Sequence, residues 1–383
     1  MSSLLDYSLL IVRNLNLGVG QCVEIVTPLE CKELAEALRD VLVRSFVNVS
    51  ITYNNECDEY YLAKGDDYYD KLIESQFVRI SVISSFTEPK SKKYLETQSM
   101  KVRNYLYSSH SQRTVVAYQN EIWAKRLGIT YLELKNRIID MALRGNPLSK
   151  YIDDLYNCDI KYARIKSSIG TNLYMEFTDG FIFNDGFIKT ENGIPFKANI
   201  PCLEIFTSPI KTSLRGHVEG SKPVYINGRI IRRFSIDFID GEIVSSVGLD
   251  SLLNDPSLFY CGELGIAYYS DFLFYNTLLD ENLSTHIALG NSYYMGVKKK
   301  ERGKLNSSPH HIDLPIDDGT IEISFYDKDD KLKAVFKKLA EEFDCMFLAA
   351  SDVAKPSETD QEHLDAKGHL AQANAIYKKL IAA

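Results

Sequence analysis

Apolar residues Leu4, Leu5, Leu9, Ile11 and Val12 recur at helical spacing and predict an amphipathic helix over residues 3–16. Val23–Val26 predicts a short strand. It runs into TPLECKELAEALRDVLVRSF, where Leu34, Leu38, Val41, Val43 and Phe46 form the stripe of a second helix. Val47–Tyr53 alternates as a half-buried strand does, and Val78–Ile83 and Thr114–Tyr118 are further strand candidates. Strands separated by helical patterns imply βαβ units and a mostly parallel sheet, so residues 1–158 read as an N-terminal α/β domain. No GxGxxG follows a strand, and Gly18-Val19-Gly20 alone does not make a nucleotide loop.

The pattern changes near Asp159. Short alternating runs are joined by turn signals at Asn184-Asp185-Gly186, Glu191-Asn192-Gly193, Asn227-Gly228 and Asp240-Gly241, which predicts antiparallel hairpins. Helical patterns return at Asp250–Leu258 and Phe274–Leu289, and final strands are predicted at His311–Leu314 and Gly319–Tyr326. Residues 159–330 therefore read as a second, mixed or antiparallel α+β domain. Beyond it, Leu332, Val335, Phe336, Leu339 and Phe343 fall on one helical stripe, and HLAQANAIYKKLIAA closes the chain as another, so residues 331–383 read as a helical extension.

A length of 383 residues accommodates two domains, and the composition excludes disordered or collagen-like classes. With 44 Lys+Arg against 52 Asp+Glu, the net charge of -8 argues against nucleic acid as a partner and leaves carboxylates for a cation. The seven cysteines include no CxxC pair, as expected of reduced thiols in a cytoplasm. The N-terminus lacks the basic region of a signal peptide, and no apolar run is long enough to span a bilayer, so a soluble, cytoplasmic protein is expected.

Seven histidines allow case-by-case inspection. His110, His217, His363 and His369 sit in polar surroundings without ligand spacing. His311 and Asp313 form an HxD pair at the head of a strand, where residues two apart share a face and can meet one ion; His310 points to the opposite face. By itself the pair is a weak signal, and a polar strand end is the commoner reading. Glu281 and His286 are five apart, poor for one face of a regular helix, so a shared metal requires Glu281 at or before the helix start. Tyr293 follows His286 by two helical turns unless Gly290 ends the helix. Glu204 and Glu263 are carboxylates inside apolar runs, costly to bury unless paired or bound to a cation. Together Glu204, Glu263, Glu281, His286, His311 and Asp313 supply six oxygen and nitrogen donors, a set that suits two divalent ions sharing a bridge.

Four strings in order, ANIPCLEIFTSP, FYCGELGIAYYSD, LFYNTLLDENLSTHIALGNSYY and NSSPHHIDLPI, resemble the aminopeptidase T and aminopeptidase S family of metallopeptidases across roughly residues 160–326. The resemblance implies a dinuclear metal-dependent aminopeptidase carrying Zn, Co or Mn, with those six residues as ligands. It implies that Glu263 or Glu204 bridges the ions or accepts a proton from water, and that Tyr293, at the family's proposed catalytic tyrosine, donates to the tetrahedral oxyanion. Peptide substrates and a homodimer are implied as partners. Cys202 and Leu203 stand where the family commonly has a hydroxyl and an acid. HHID is unusual, Asn172 replaces a more frequent Asp, and residues after about 330 lie beyond the resemblance.

Two alternatives compete. His286, His311 and Asp313 could serve one iron in a ring-cleaving dioxygenase, a chemistry that leaves the three glutamates unused. A peptide-binding or specialised peptide-maturation protein with weak turnover would instead use the C-terminal tail to engage a protein partner.

Overall fold

A computed structural model describes residues 3–337, apart from 46, 56–65, 92–99, 107–109, 227–228, 254 and 295–296, and also residues 348–349. The chain divides into two compact units. The first comprises Met1–Gly145 and Gly186–Cys202; the second comprises Asn146–Asp185 and Leu203 onward.

In the first unit, strands β1 (Cys22–Thr27), β2 (Asn48–Tyr53), β3 (Val78–Ile83), β4 (Arg113–Ala117) and β5 (Asn199–Ile200) form one sheet in the order β2-β1-β3-β4-β5. All of its pairings are parallel. Helix Leu4–Arg13 starts on a capping box in which Ser3 and Asp6 satisfy each other's backbone donors. Its Tyr7 and Ile11 join Leu34, Leu38 and Leu42 of helix Lys32–Arg44 over the strand residues Val23, Ile25, Ile80 and Val116. The sequence pattern did not pick out helices Glu121–Leu127 and Tyr131–Arg144, although Asn120 and Thr130 cap them with side-chain acceptors.

The second unit packs two sheets over one apolar core. The larger runs Glu242–Val247, Ser235–Ile239, Arg215–Glu219, Asn172–Glu176, Tyr162–Lys166, Glu322–Tyr326, Leu332–Lys337, Leu348–Ala349 in spatial order. The smaller is antiparallel and consists of β6 (Glu204–Thr207), β7 (Cys261–Ala267), β8 (His286–Gly290) and β9 (His311–Pro315), in chain order. Its inner face contributes Ile205, Leu264, Ile266, Ile287, Leu289 and Leu314 to the core, against Ile165, Met175, Val218, Phe238 and Phe325 of the larger sheet.

Three element expectations are corrected. The expected helix Asp250–Leu258 is absent: residues 250–253 form a turn and Pro256–Leu258 a single 3-10 turn, because Pro256 and the Asp255 cap restrict it to a short piece. Phe274–Leu289 is not one helix. Asn276 caps a five-residue helix, Thr277–Glu281, and β-branched Thr285 leads into strand β8, which contains Ile287. Leu332–Lys337 is a strand rather than the start of a helix. Ala334 and Phe336 are buried at period two, and Asp327 accepts the Asp329 and Lys331 N–H groups to turn the chain back. The remainder of the predicted helical tail, with the partner-binding role given to it, falls on 338–347 and 350–383, outside the described residues. No helix among the described residues is long and apolar enough to cross a membrane.

Candidate metal centre

The outer face of the small sheet is built by alternation and by one bulge. Opposite its aliphatic inner face, β6 presents Glu204 and Phe206, β8 presents His286 and Ala288, and β9 presents His311 and Asp313. Strand β7 changes parity midway. Cys261 pairs with Leu289 but Glu263 pairs with Ala288, a register shift that makes Gly262 the extra residue. Cys261 consequently lies in the core while Glu263 emerges on the outer face. A Cβ on Gly262 would overlap the carbonyl oxygens of Gly290 and Asn291, so glycine is what permits the bulge.

Cross-strand neighbours of the polar residues are small. Glu204 stands opposite Ala267, Glu263 opposite Ala288, and Asp313 also opposite Ala288. Acidic and imidazole side chains thus converge over a floor of glycine and alanine.

His286 Nε2 lies 3.3 Å from Glu204 Oε2 and 3.2 Å from Glu263 Oε1. His311 Nε2 lies 3.5 Å from Glu263 Oε2 and 3.2 Å from Asp313 Oδ1. Glu263 therefore stands between the two imidazoles, one oxygen toward each. Glu281, at the end of the short helix, hydrogen-bonds Asp313. Two donor triads result, Glu204-Glu263-His286 and Glu263-His311-Asp313, each with ligand atoms within 4.8 Å of one another. The structure thus brings five of the six predicted donors into the two triads and sets Glu281 beside Asp313, but not on the expected elements: Glu281 ends its helix and His286 opens a strand. Tyr293 lies past Gly290, its ring 5.2 Å from that of His311 and 5.1 Å from that of Phe206. His310 faces away and meets Asp255 at 3.3 Å.

The donor chemistry fits a divalent ion. Both imidazoles turn Nδ1 to a backbone carbonyl, His286 to Ser284 and His311 to Asn291, each at 3.0 Å. In the neutral ring each Nδ1 would then carry the proton as donor, leaving the Nε2 lone pair to a cation that takes the place of the second proton. Glu204 Oε2 is buried and makes no hydrogen bond, its polar neighbour being His286 Nε2 at 3.3 Å. Such a carboxylate is expensive unless a cation meets it.

The electrostatics reveal the same shortage of positive charge. Burial raises the Glu204 carboxyl above its ordinary value, and Glu263 and Asp313 add to the rise against the pull of His286. Burial together with Asp313, Glu204 and Glu263 pushes Glu281 well above its ordinary range. Burial works against the His286 cation, yet the carboxylates outweigh it and push His286 up to about 10; the same balance takes His311 to about 9. Asp313 moves downward, burial being outweighed by His311 and His286. The Tyr293 hydroxyl is held well above its ordinary value by burial and the nearby carboxylates.

The family model of the thermophilic metalloprotease (M29) matches residues 104–338, which take in all six donors and Tyr293. The chain belongs to the M29 family. Over 239 residues it is 28% identical to aminopeptidase 2 of Geobacillus stearothermophilus, an alignment covering 57% of this chain and 58% of that one. Over 273 residues it is 29% identical to aminopeptidase AmpS of Bacillus subtilis (strain 168), covering 61% and 67% respectively. The M29 chain thus spans less than two thirds of the Geobacillus relative's length. In fold it is similar to wild-type AmpT from Thermus thermophilus, with a TM-score of 0.69 at 20% identity over 86% of this chain and 96% of that one. It is also similar to 2,5-dihydroxypyridine dioxygenase from Pseudomonas putida KT2440, with a TM-score of 0.52 at 12% identity over the same shares. At these identities the structural likenesses concern the fold alone.

The sequence pattern alone does not single out Gly262, Gly265 or Phe206, and it offers Asn282 only as a helix cap, whereas Asn282 stands at the C-terminal end of that helix. A Cβ on Gly265 would overlap the His286 ring. Asn282 Oδ1 accepts the Leu203 N–H, tying the helix that carries Glu281 to the residue before Glu204. The GELG spacing inside an apolar strand was the available signal, since glycine there marks a bulge or a close approach.

Proposed function

We propose that this M29 chain is a metal-dependent aminopeptidase that removes the N-terminal residue of peptides at a centre of two divalent ions, zinc, cobalt or manganese. The observation that carries this reading is the position of Glu263, shared by two donor triads with one oxygen toward each imidazole. Glu204 and His286 hold one side of the centre, His311 and Asp313 the other, and Glu281 acts through its hydrogen bond to Asp313. Divalent ions in such a centre supply charge that polarises a carbonyl and acidifies water. Glu204 or Glu263 would accept the proton that the attacking water gives up, the other serving as the shared carboxylate. Tyr293, kept protonated by its surroundings, donates a hydrogen bond to the oxygen of the tetrahedral intermediate. The substrate's free amine finds its counter-charge among the surrounding carboxylates, which restricts cleavage to the first residue. Free thiols at Cys22, Cys31 and Cys261 support a reducing, cytoplasmic setting, and a homodimer belongs to the same reading.

A single-iron oxygenase would use His286, His311 and Asp313 and leave Glu204, Glu263 and Glu281 buried beside them without a role. The glutamates therefore favour the peptidase.

Chelation should abolish hydrolysis of aminoacyl chromogenic substrates, and zinc, cobalt or manganese should restore it. Metal analysis should return two ions per chain. Turnover that survives Glu263→Gln and His286→Ala, or one iron with oxygen uptake on a hydroxylated aromatic, would overturn the proposal.

A further inference from the structure

The segment between β7 and β8 carries Glu281 and ends on His286. Its two ends close on each other, the Ser270 N–H donating to the Leu283 carbonyl at 3.0 Å. Lys222 enters this closure from the loop between strands Arg215–Glu219 and Val224–Ile226. Its Nζ donates to the same Leu283 carbonyl at 3.1 Å and to the Ser270 carbonyl, and it lies 4.5 Å from the centre of the Tyr269 ring.

Only 8% of Lys222 is exposed. An ammonium taken out of water is costly unless its donors are met and counter-charge is near. Here two carbonyls and an aromatic face meet it, and Asp280, Asp317 and Asp271 supply the opposing charge. The placement has a consequence for the centre. Leu283 is followed by Ser284, whose carbonyl holds His286 Nδ1 at 3.0 Å, and by Thr285, whose carbonyl accepts the N–H groups of Ile316 and Asp317 at 3.0 and 3.2 Å. Fixing the Leu283 carbonyl fixes the start of the turn that aims His286 Nε2 at Glu204 and Glu263.

We infer that Lys222 is a positioning residue for the metal centre, its ammonium clamping the Ser270 and Leu283 carbonyls so that His286 and Glu281 are held in register. This inference rests on the metallopeptidase reading. Its test is zinc affinity of the chelator-stripped full chain by isothermal titration, read beside the thermal midpoint of the same metal-free protein. Lys222→Met should bind zinc at least tenfold more weakly, in the range found when partners behind metal ligands are removed. Ile165→Ala, in the core beneath the larger sheet, should lower the midpoint and leave zinc affinity within twofold. Lys222→Arg, which keeps the cation, should recover most of the affinity lost in Lys222→Met.

Zinc affinity within twofold of native in Lys222→Met overturns the inference. So does a loss in Lys222→Met that Ile165→Ala reproduces. If Lys222→Met does not fold, Lys222→Gln is judged by the same two numbers. Failure of both to fold makes the lysine a folding determinant and overturns the positioning role. A native chain that binds no zinc, cobalt or manganese overturns the metal reading itself, and this inference with it.

Discussion

Gly265 and His286 face each other across β7 and β8, and the imidazole occupies the space that a side chain at position 265 would need. An added Cβ would overlap the His286 ring and stand 2.9 Å from Glu204 Oε2. Gly265→Ala should therefore act on the centre more than on the fold. Metal affinity and kcat/KM should each fall by at least about tenfold, the scale of a misplaced ligand partner. Far-ultraviolet circular dichroism should match the native chain. Native zinc affinity in this variant would contradict the assigned geometry.

Gly262→Ala tests the bulge. Its Cβ would meet two backbone oxygens, which cannot swing aside as a side-chain tip can. Overpacking of this kind costs roughly 1–3 kcal/mol, visible as a lower midpoint in urea unfolding. Because the bulge also selects the face on which Glu263 emerges, activity should fall further than the stability loss explains. A stable variant with full turnover would show that Glu263 reaches its place without the bulge.

Asn282 joins two parts of the centre, accepting from the Leu203 N–H and donating to the Leu278 carbonyl at 2.6 Å. Asn282→Ala leaves a buried amide without an acceptor, costing about 1–3 kcal/mol. Thermal unfolding of the metal-free chain should register that loss. Asn282→Asp keeps the acceptor but loses the donor, and should recover part of the stability.

Asp317 supplies a pH signature separate from the metal donors. Burial, offset in part by the Gly319 and Ile321 N–H groups, raises its carboxyl to about 6 from the usual 3.8. A raised carboxyl favours the folded state fully below the unfolded value, and that stability disappears as pH climbs through the folded one. Between pH 4 and 6 it should therefore cost the native chain on the order of 2–3 kcal/mol. Asp317→Asn keeps an oxygen acceptor for both amides and should flatten this part of the stability profile. The difference between the two unfolding curves, measured across that range, isolates the contribution. Parallel curves would assign the slope to other groups.

Much of the first unit is legible in the sequence because its parallel strands are plain apolar runs bounded by amphipathic helices. Val78–Ile83 is found where it is expected, and the ends of the other three expected strands differ by no more than one residue. The HxD argument for His311 and Asp313 likewise needs only strand periodicity. Glu281 and His286 resisted that treatment because their spacing straddles a helix end, a turn and a strand start, and no single period describes such a passage. Leu332–Lys337 failed for a different reason: KLKAVFK satisfies period two and period 3.6 about equally, and the partner strand Glu322–Tyr326 decides between them. Gly262 and Gly265 bear on the site through what they leave empty, which a search for donor side chains passes over.

The hairpin that ends on Lys337 also governs how the chain can be shortened. Leu332–Lys337 covers one side of Glu322–Tyr326 and seals Ala334 and Phe336 over the core. A polypeptide stopped after Tyr326 would leave that flank as an open row of amides and carbonyls beside uncovered aromatic surface, an invitation to pair with other chains. Because Leu348–Ala349 pairs in turn with Leu332–Lys337, any dissection of the C-terminal segment has to begin beyond Ala349; otherwise insolubility would pass for a loss of function.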